Sequence, residues 1–170
     1  MLPEEMSFEE GAMIEPLAVA VHGVKQVGDV AGMKIAVIGA GPIGNLVAQA
    51  AKGMGAAKVM ITDVSDLRLA KAAECGIDIC VNTKEKNFGE ALIEAFGPDK
   101  ADVIYDCAGN NVTMGQAISI AIGIINIITV PLVSAFGRTS AKQGYLTVAI
   151  LVENRASQRR IPVCVYLSGK

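Results

Sequence analysis

The sequence predicts an α/β fold, a doubly wound and mostly parallel β-sheet with helices on both faces. Short apolar runs rich in Val and Ile alternate with helical segments along most of the 170 residues, which is the pattern of βαβ units. Hydrophobic residues make up 52% of the chain, as expected when parallel strands are buried on both faces. Right-handed crossovers between such strands place helices on both sides of the sheet.

The expected elements follow one another in a regular order. Ser7 and Glu10 form a capping-box pair ahead of a first helix, which is expected to run to about residue 27 with a break near Pro16. Beyond it, strands are predicted over 34–38, 58–62, 78–81, 102–106 and 124–130, helices over 42–54, 65–75, 87–96 and 112–121, and strand-like composition over 145–152 and 162–167.

Charge and cysteine content exclude several classes of function. The net charge is −2, so the chain has no overall basic field that would attract nucleic acid. One histidine and four cysteines without a C-x-x-C motif do not predict a zinc cluster. The first residues are acidic, unlike a secretory signal, and the cysteines form no disulfide framework, so we expect a reduced, cytoplasmic protein.

One apolar run is long enough to cross a bilayer. Residues 117–136 include no charged side chain. The run also contains Asn126 and Pro131, and an α/β fold explains it as the end of a helix, a turn at Gly123 and a buried strand. We therefore expect no membrane span, although composition alone leaves that alternative open.

The strongest motif lies at the end of the first predicted strand. Gly39-Ala-Gly-Pro-Ile-Gly44 follows strand 34–38 and opens a helix, and a second strand ends at Asp63, nineteen residues after Gly44. This is the dinucleotide-binding fingerprint of a Rossmann sheet. In it, Gly39 permits a tight turn, Gly41 lets the backbone approach a pyrophosphate, and Gly44 lets the helix pack closely on the sheet.

The surroundings of the motif indicate which ligand it binds. Free N–H groups at the start of the helix attract phosphates. Asp63 would accept hydrogen bonds from the adenosine ribose and repel a 2′-phosphate, so NAD is favoured over NADP. A purely structural glycine turn, a flavin site and an S-adenosylmethionine site are the alternatives, because related glycine loops occur on similar folds.

The glycine motif and several segments around it have the pattern of one enzyme family. They are Leu2-Pro-Glu4, Gly11-Ala-Met-Ile-Glu-Pro-Leu-Ala-Val-Ala-Val-His22, Gly32-Met-Lys-Ile-Ala-Val-Ile-Gly-Ala-Gly-Pro-Ile-Gly44, Asp63 with Arg68-Leu-Ala-Lys-Ala72, and Asp102-Val-Ile-Tyr-Asp-Cys-Ala-Gly109. Together they resemble the medium-chain dehydrogenase/reductase family, which is the zinc-dependent alcohol dehydrogenase superfamily, and within it the sorbitol and threonine dehydrogenase branch. The likeness extends over about residues 1–118.

The resemblance implies an NAD-dependent oxidation of a secondary alcohol, such as a polyol or a hydroxy amino acid, by hydride transfer to the nicotinamide. A small alcohol or ketone would be the substrate, and catalytic zinc would hold its oxygen in the complete family enzyme. A homodimer is compatible with the resemblance, whereas nucleic-acid and membrane partners are not expected. The residues on the family's cofactor positions are Gly39, Gly41, Pro42, Ile43, Gly44, Asp63, Arg68, Cys107, Ala108 and Gly109.

Four other polar residues are weighed individually. Glu15 matches an acid that lies near the catalytic zinc in this branch, which makes it a candidate metal neighbour or exchangeable ligand, or else an ordinary acid before Pro16. His22 lies among apolar residues on the same helix and is expected to be packed and hydrogen-bonded rather than catalytic. Asp102 and Asp106 flank a strand, and we expect structural or capping roles for both.

The resemblance divides the chain into three parts. Residues 1–32 are a helical lead-in from the family's catalytic domain, 33–150 are the NAD-binding Rossmann domain, and 151–170 are an unmatched tail with four basic and one acidic side chains. The family places its main zinc ligands in a separate catalytic domain, so we expect a cofactor domain without that domain, holding no zinc and turning over little by itself. A truncated gene, a frameshifted end or an excised fragment would each explain this.

Two other functional interpretations are open at this point. The chain could be a non-catalytic NAD-binding module, regulatory or redox-sensing, that binds a partner through the basic tail. It could also be an unstable product without function, because apolar surface that the family covers with its second domain would be exposed.

Overall fold

The computed structural model describes residues 3–121, 126–129 and 150–151. The helices are α1 (Phe8–Lys25), α2 (Pro42–Gly53), α3 (Asp66–Glu74), α4 (Phe88–Phe96) and α5 (Asn111–Ala121). The strands are β1 (Lys34–Ile38), β2 (Lys58–Asp63), β3 (Ile79–Asn82), β4 (Val103–Asp106), β5 (Asn126–Thr129) and β6 (Ile150–Leu151).

The described strands form one sheet in the order β3-β2-β1-β4-β5-β6. The first five run parallel to one another, and β6 pairs antiparallel with β5. The predicted α/β fold with a mostly parallel, doubly wound sheet is confirmed. Chain order reverses between β1 and β4, and such a reversal leaves a crevice at the carboxyl ends of these two strands.

Alternation along β1 explains why both faces of the sheet need a helical layer. Ile35 and Val37 belong to one buried cluster, with Val47 and Ala51 of α2. The intervening residues Ala36 and Ile38 belong to the cluster on the other face, with Leu92 and Phe96 of α4. Because successive side chains of a strand point to opposite faces, a strand that is apolar throughout must be covered twice.

The first helix confirms one sequence prediction and contradicts another. Ser7 and Glu10 form the predicted capping box, with the Glu10 N–H donating to Ser7 Oγ over 3.1 Å and the Ser7 N–H donating to Glu10 Oε2 over 2.8 Å. The predicted break near Pro16 is wrong, because α1 continues through it. Proline removes one N–H from the helix ladder, and the carbonyl that would have accepted it belongs to Ala12, which is exposed to solvent.

Most other predicted elements are present with ends shifted by one or two residues. Ser65 and Asn87, predicted as first helical residues, are instead the N-cap residues of α3 and α4. Of the predicted strand 124–130, the described part is β5, and β6 lies within the strand-like segment 145–152. The segment 162–167 and the tail 152–170 lie outside the described residues.

The long uncharged run falls into two elements where the structure describes it. Residues 117–121 end α5, and residues 126–129 form β5. No helix within the described ranges has both the length and the apolar character that crossing a bilayer requires.

Candidate functional site

The glycine loop lies at the crevice between β1 and β4. Hydrogen bonding continues past the end of β1, because the Gly39 N–H donates to the Thr62 carbonyl over 2.7 Å and the Cys107 N–H donates to the Ile38 carbonyl over 2.8 Å. The carboxyl ends of β2, β1 and β4 are therefore tied side by side, and the loops that follow them share one edge of the sheet.

Two glycines of this loop are required by the fold itself. Gly39 has φ +97°, and a Cβ added there would lie 3.1 Å from the Ala108 nitrogen. A Cβ added at Gly44 would overlap the Gly39 carbonyl oxygen and lie 3.3 Å from the Cys107 Cβ. The turn, the helix start and the loop after β4 pack against one another too closely for any side chain at these positions.

Gly41 differs from both, because the fold does not require a glycine there. A Cβ at Gly41 would have no heavy atom within 4 Å. Its backbone, at φ −66° and ψ 178°, is open to any residue. The unfilled space beside Gly41 leaves room for a ligand to contact the backbone directly.

The start of α2 is a suitable anion site. Gly41 is its N-cap residue and supplies no side-chain hydrogen bond, Pro42 occupies the first turn, and no acidic residue lies there. The Asn45 N–H makes the first bond back along the helix, to the Gly41 carbonyl over 2.9 Å. The N–H groups of Ile43 and Gly44 precede it and belong to the part of a helix that has no partner within the helix.

Asp63 ends β2 with a buried carboxylate, 8% exposed, beside the glycine loop. Its Oδ2 accepts the Ala40 N–H over 2.8 Å, and its Oδ1 accepts those of Val64 and Ser65 over 2.8 and 2.9 Å. The same carboxylate therefore holds the glycine loop and the turn into α3. A carboxylate has about four acceptor positions, so capacity is left for one hydroxyl donor.

Arg68 lies on α3 beside this carboxylate. Its Nη1 is 3.6 Å from Asp63 Oδ2, and its side chain is 58% exposed. An ion pair this long and this open to water contributes little stability. The guanidinium is consequently available to a ligand at the β2 end of the crevice.

The loop after β4 forms the opposite wall of the crevice. Ala108 and Gly109 are exposed, whereas Cys107 is partly buried against Gly44. Removal of water from around the Cys107 sulfur, with a smaller contribution from the Asp106 carboxylate, raises the pKa of this thiol to about 12. The thiol is protonated near neutral pH, so Cys107 contributes packing and backbone to the site rather than a nucleophile.

Glu15 and His22 both lie on α1. Glu15 is exposed. His22 is also exposed, which corrects the expectation that it is packed, although its ring Nε2 does lie 3.0 Å from Gln26 Nε2. The buried residues of α1 are the smaller Ala20, Gly23 and Val24. Across residues 3–121, 126–129 and 150–151, no three His, Cys, Asp or Glu side chains form a group that could hold a metal ion.

One further polar residue belongs to this site and was not predicted from the sequence. Thr113 on α5 places its hydroxyl 3.2 Å from Asp106 Oδ2, beneath the loop after β4. The sequence does contain a pattern that could have indicated Thr113. Asn110 and Thr113 are three residues apart at a helix start, which is the spacing of a capping residue and its partner.

Comparison with known proteins identifies the kind of domain that contains this crevice. Residues 42–122 match the family model described as zinc-binding dehydrogenase. Sorbitol dehydrogenase of Bos taurus is 43% identical over 110 residues, which are 64% of this chain and 31% of the relative. Over these residues the chain is similar to the zinc-binding dehydrogenase family. It spans about a third of the length of the curated relatives that it matches.

Solved structures of dehydrogenases share the fold. The 2R,3R-butanediol dehydrogenase of Bacillus subtilis is 34% identical with a TM-score of 0.65, over 83% of this chain and 39% of that one. A protein from Sinorhizobium meliloti assigned to the zinc-binding dehydrogenases and bound to NADP is 28% identical with a TM-score of 0.70, over 83% of this chain and 42% of that one. The predicted resemblance to zinc-type dehydrogenases is thus confirmed.

Proposed function

We propose that the crevice between β1 and β4 binds NAD, as the cofactor site of a dehydrogenase that oxidises a secondary alcohol of the polyol or hydroxy amino acid type. The observation that supports NAD most directly is the contrast among the three glycines. Neighbouring atoms occupy the space that a side chain would need at Gly39 and Gly44, whereas the space at Gly41 is open, beside a helix start without a side-chain cap. A glycine that packing does not need, at an anion-binding position, indicates close approach by a phosphate.

The pyrophosphate is assigned to the start of α2. The N–H groups of Ile43 and Gly44 and the positive end of the helix dipole would stabilise its negative charge. No side chain competes for these groups in the first turn. Pro42 donates no hydrogen bond there, but its fixed backbone angle favours the helix start.

The adenosine ribose is assigned to Asp63. The carboxylate is held by three backbone N–H groups, so it is already oriented before any ligand arrives. Its remaining acceptor position would take a ribose hydroxyl, and its negative charge would repel a 2′-phosphate. Arg68 opposes this discrimination because it is a cation 3.6 Å from the same carboxylate. We assign the preference to NAD because the buried acid is fixed, whereas the arginine is mostly exposed and can move away.

The nicotinamide half is assigned to the β4 side of the crevice, along Cys107, Ala108 and Gly109. When bound, NAD supplies the chemistry by accepting a hydride from the alcohol carbon. The residues of this chain bind and orient the dinucleotide and present the ring at the open edge of the sheet. The described residues contain no group of three His, Cys, Asp or Glu side chains suited to a metal ion, and Glu15 is a metal neighbour by resemblance alone.

Titration of the purified chain into NADH, with NADPH in parallel, tests this proposal. The chain has no Trp, so protein emission interferes little with the fluorescence of the reduced nicotinamide. We expect saturable binding of NADH and binding of NADPH at least about tenfold weaker, which is 1.4 kcal/mol. A folded chain that binds neither would contradict the cofactor assignment, and equal affinity for both would contradict the role of Asp63.

The homodimer and the cytoplasmic location stay predictions. Sedimentation velocity of the purified chain over a range of concentrations tests the first, with a concentration-independent monomer as the contradicting result. Fractionation of cells that produce the protein tests the second.

A further inference from the structure

A buried hydrogen-bonded unit lies beneath the loop that follows β4. Asp106 is fully buried at the end of this strand. Its Oδ1 accepts the N–H groups of Ala108 and Gly109 over 3.0 and 3.1 Å. Its Oδ2 lies 3.2 Å from the hydroxyl of Thr113, in the first turn of α5. One carboxylate therefore connects the exposed loop to the helix behind it.

The Thr113 hydroxyl donates its hydrogen bond to Asp106 Oδ2. The Thr113 oxygen also lies 3.0 Å from the Asn110 carbonyl, so the single proton has two acceptors in reach. A carboxylate is the stronger acceptor, and a buried carboxylate oxygen without a donor is strongly unfavourable. The Thr113 oxygen meanwhile accepts the Asn110 N–H over 3.3 Å. The Thr113 hydroxyl therefore supplies a donor to the buried Asp106 carboxylate and also holds the start of α5 through the Asn110 N–H.

This unit also determines where the loop stands relative to the glycine turn. A Cβ added at Gly39 would lie 3.1 Å from the Ala108 nitrogen and 3.3 Å from the Ala108 Cβ. A shift of Ala108 toward Gly39 would therefore narrow the crevice between β1 and β4, and a shift away from Gly39 would widen it. The outer side of Ala108 and Gly109 is exposed, so a ligand in the crevice would contact their backbone.

We propose that Asp106 and Thr113 are positioning residues that hold Ala108 and Gly109 as the wall of the nicotinamide half of the cofactor site. This inference rests on the proposed function. Asp63 on the β2 side would take the adenosine ribose and the start of α2 the pyrophosphate, so the remaining half of the dinucleotide lies on the β4 side. The two positioning residues should affect that half alone.

Thr113→Val tests the proposal, because valine has nearly the shape of threonine without its hydroxyl. We expect NADH binding to weaken by about tenfold, as for loss of a hydrogen bond to a charged group. Binding of AMP, which lacks the nicotinamide half, should change by less than about twofold. The fluorescence enhancement of bound NADH should also fall, since the ring would be held less firmly.

Two conservative variants should behave like the wild type. Thr113→Ser keeps the hydroxyl, and Asp106→Asn keeps an oxygen for both loop N–H groups while its amide donates to the Thr113 oxygen. Thr83→Val is the matched control for the threonine change, since its hydroxyl lies 3.4 Å from the Asp63 carbonyl at the far side of the crevice. It should leave the fluorescence enhancement of NADH unchanged.

Several results would overturn the proposal. Equal losses of NADH and AMP binding in Thr113→Val would indicate a general structural role, and unchanged NADH binding would indicate none. Failure of Thr113→Ser to restore binding, or a Thr83→Val variant that matches Thr113→Val, would also contradict it. A wild type that binds AMP but not NADH would refute the nicotinamide assignment. Amide exchange at Ala108 and Gly109, which needs no ligand, tests the positioning separately, and protection unchanged by Thr113→Val would refute it.

Discussion

At the scale of single residues, the glycine loop separates packing from binding. Gly39 and Gly44 are enclosed by backbone, and Gly41 is not, although all three belong to one motif. Asp63 combines the two roles, because it accepts the Ala40 N–H within the fold and is also the proposed ribose acceptor. A substitution here reports on function only when its effect on the fold is measured beside it.

Alanine at Gly41 and at Gly44 should therefore have opposite effects on folding and binding. We expect Gly41→Ala to leave the free energy of unfolding within about 0.5 kcal/mol of the wild type and to weaken NADH binding about tenfold or more, because its methyl group would stand where the pyrophosphate approaches. Gly44→Ala should lower the free energy of unfolding by about 1–3 kcal/mol, because its methyl overlaps the Gly39 carbonyl. Urea unfolding and NADH titration measure both. If Gly41→Ala binds NADH normally, the phosphate is assigned wrongly.

Asp63→Ser should weaken NADH binding and reduce the discrimination against NADPH. We expect about a tenfold weaker NADH affinity and a ratio of the two affinities near one, because the charge that repels a 2′-phosphate is gone. Adding Arg68→Met to Asp63→Ser should lower the affinity for NADPH, since the Arg68 guanidinium lies beside residue 63 and would attract the 2′-phosphate. Fluorescence titration of the single and double variants measures this. An unchanged preference for NADH in Asp63→Ser would show that another group selects the cofactor.

At the scale of elements, one buried tyrosine fastens α1 to the sheet. Tyr105 of β4 is fully buried, and its hydroxyl donates to the Val24 carbonyl over 3.0 Å. Val24 lies in the last turn of α1, where carbonyls have no partner within the helix. Burial, with a smaller contribution from Cys107, raises the pKa of Tyr105 well above its usual range, so the hydroxyl stays a donor.

Tyr105→Phe should destabilise the protein without affecting the crevice. The change leaves the Val24 carbonyl buried without its donor, which costs about 1–3 kcal/mol of unfolding free energy. Urea unfolding followed by circular dichroism measures it, and the denaturant slope should be unchanged if the native state keeps its compactness. Since Tyr105 points toward α1, AMP affinity should stay the same. A stability equal to the wild type would mean that water replaces the hydroxyl.

At the scale of the whole molecule, the two edges of the sheet have different tasks. The carboxyl edge contains the open crevice, whereas the amino edge contains polar contacts that join neighbouring elements. Lys52 at the end of α2 reaches Asp78 before β3, with Nζ 2.6 Å from Oδ1. The other oxygen of Asp78 accepts the Val59 N–H of β2 over 2.9 Å. One carboxylate therefore ties a helix to two strand starts.

Acid should weaken this contact. Burial opposes ionisation of Asp78, but hydrogen bonds from Lys52 and from the Val59 N–H outweigh it, so the pKa lies below its ordinary value of 3.8. The contribution to stability is thus present above 3.8 and lost as the pH falls through the lower folded value. Because the pair is about a third exposed, we expect it to contribute about 1 kcal/mol or less.

Urea unfolding at about pH 6 and about pH 3 measures this dependence. Asp78→Asn should be less stable than the wild type at the higher pH and closer to it at the lower one, because part of the contribution of the ionised carboxylate is lost below its ordinary pKa of 3.8. Lys71→Met, which removes an exposed contact with Glu74, serves as a control and should change neither value appreciably. A constant difference between Asp78→Asn and the wild type would contradict the linkage.

Local sequence determined much of the fold. The capping box at Ser7, the alternation of apolar runs and helices, and the order of elements through α5 all follow from short-range patterns, because hydrophobic period and end signals act within a few residues. The continuation of α1 through Pro16 could not be predicted, since it depends on packing of α1 against α2 and on the exposure of Ala12 to water. Exposure of His22 depends on the same packing.

The sequence by itself determined the glycine motif, the acid at Asp63 and the family resemblance, because each is a matter of residue type at a fixed spacing. Tertiary structure alone decided which glycine faces open space, that Asp63 also holds the Ala40 N–H, and that Thr113 reaches Asp106 beneath the loop after β4. The physical reason is that these contacts join different strands and helices. Their distances are fixed by sheet order and packing, which no local pattern contains.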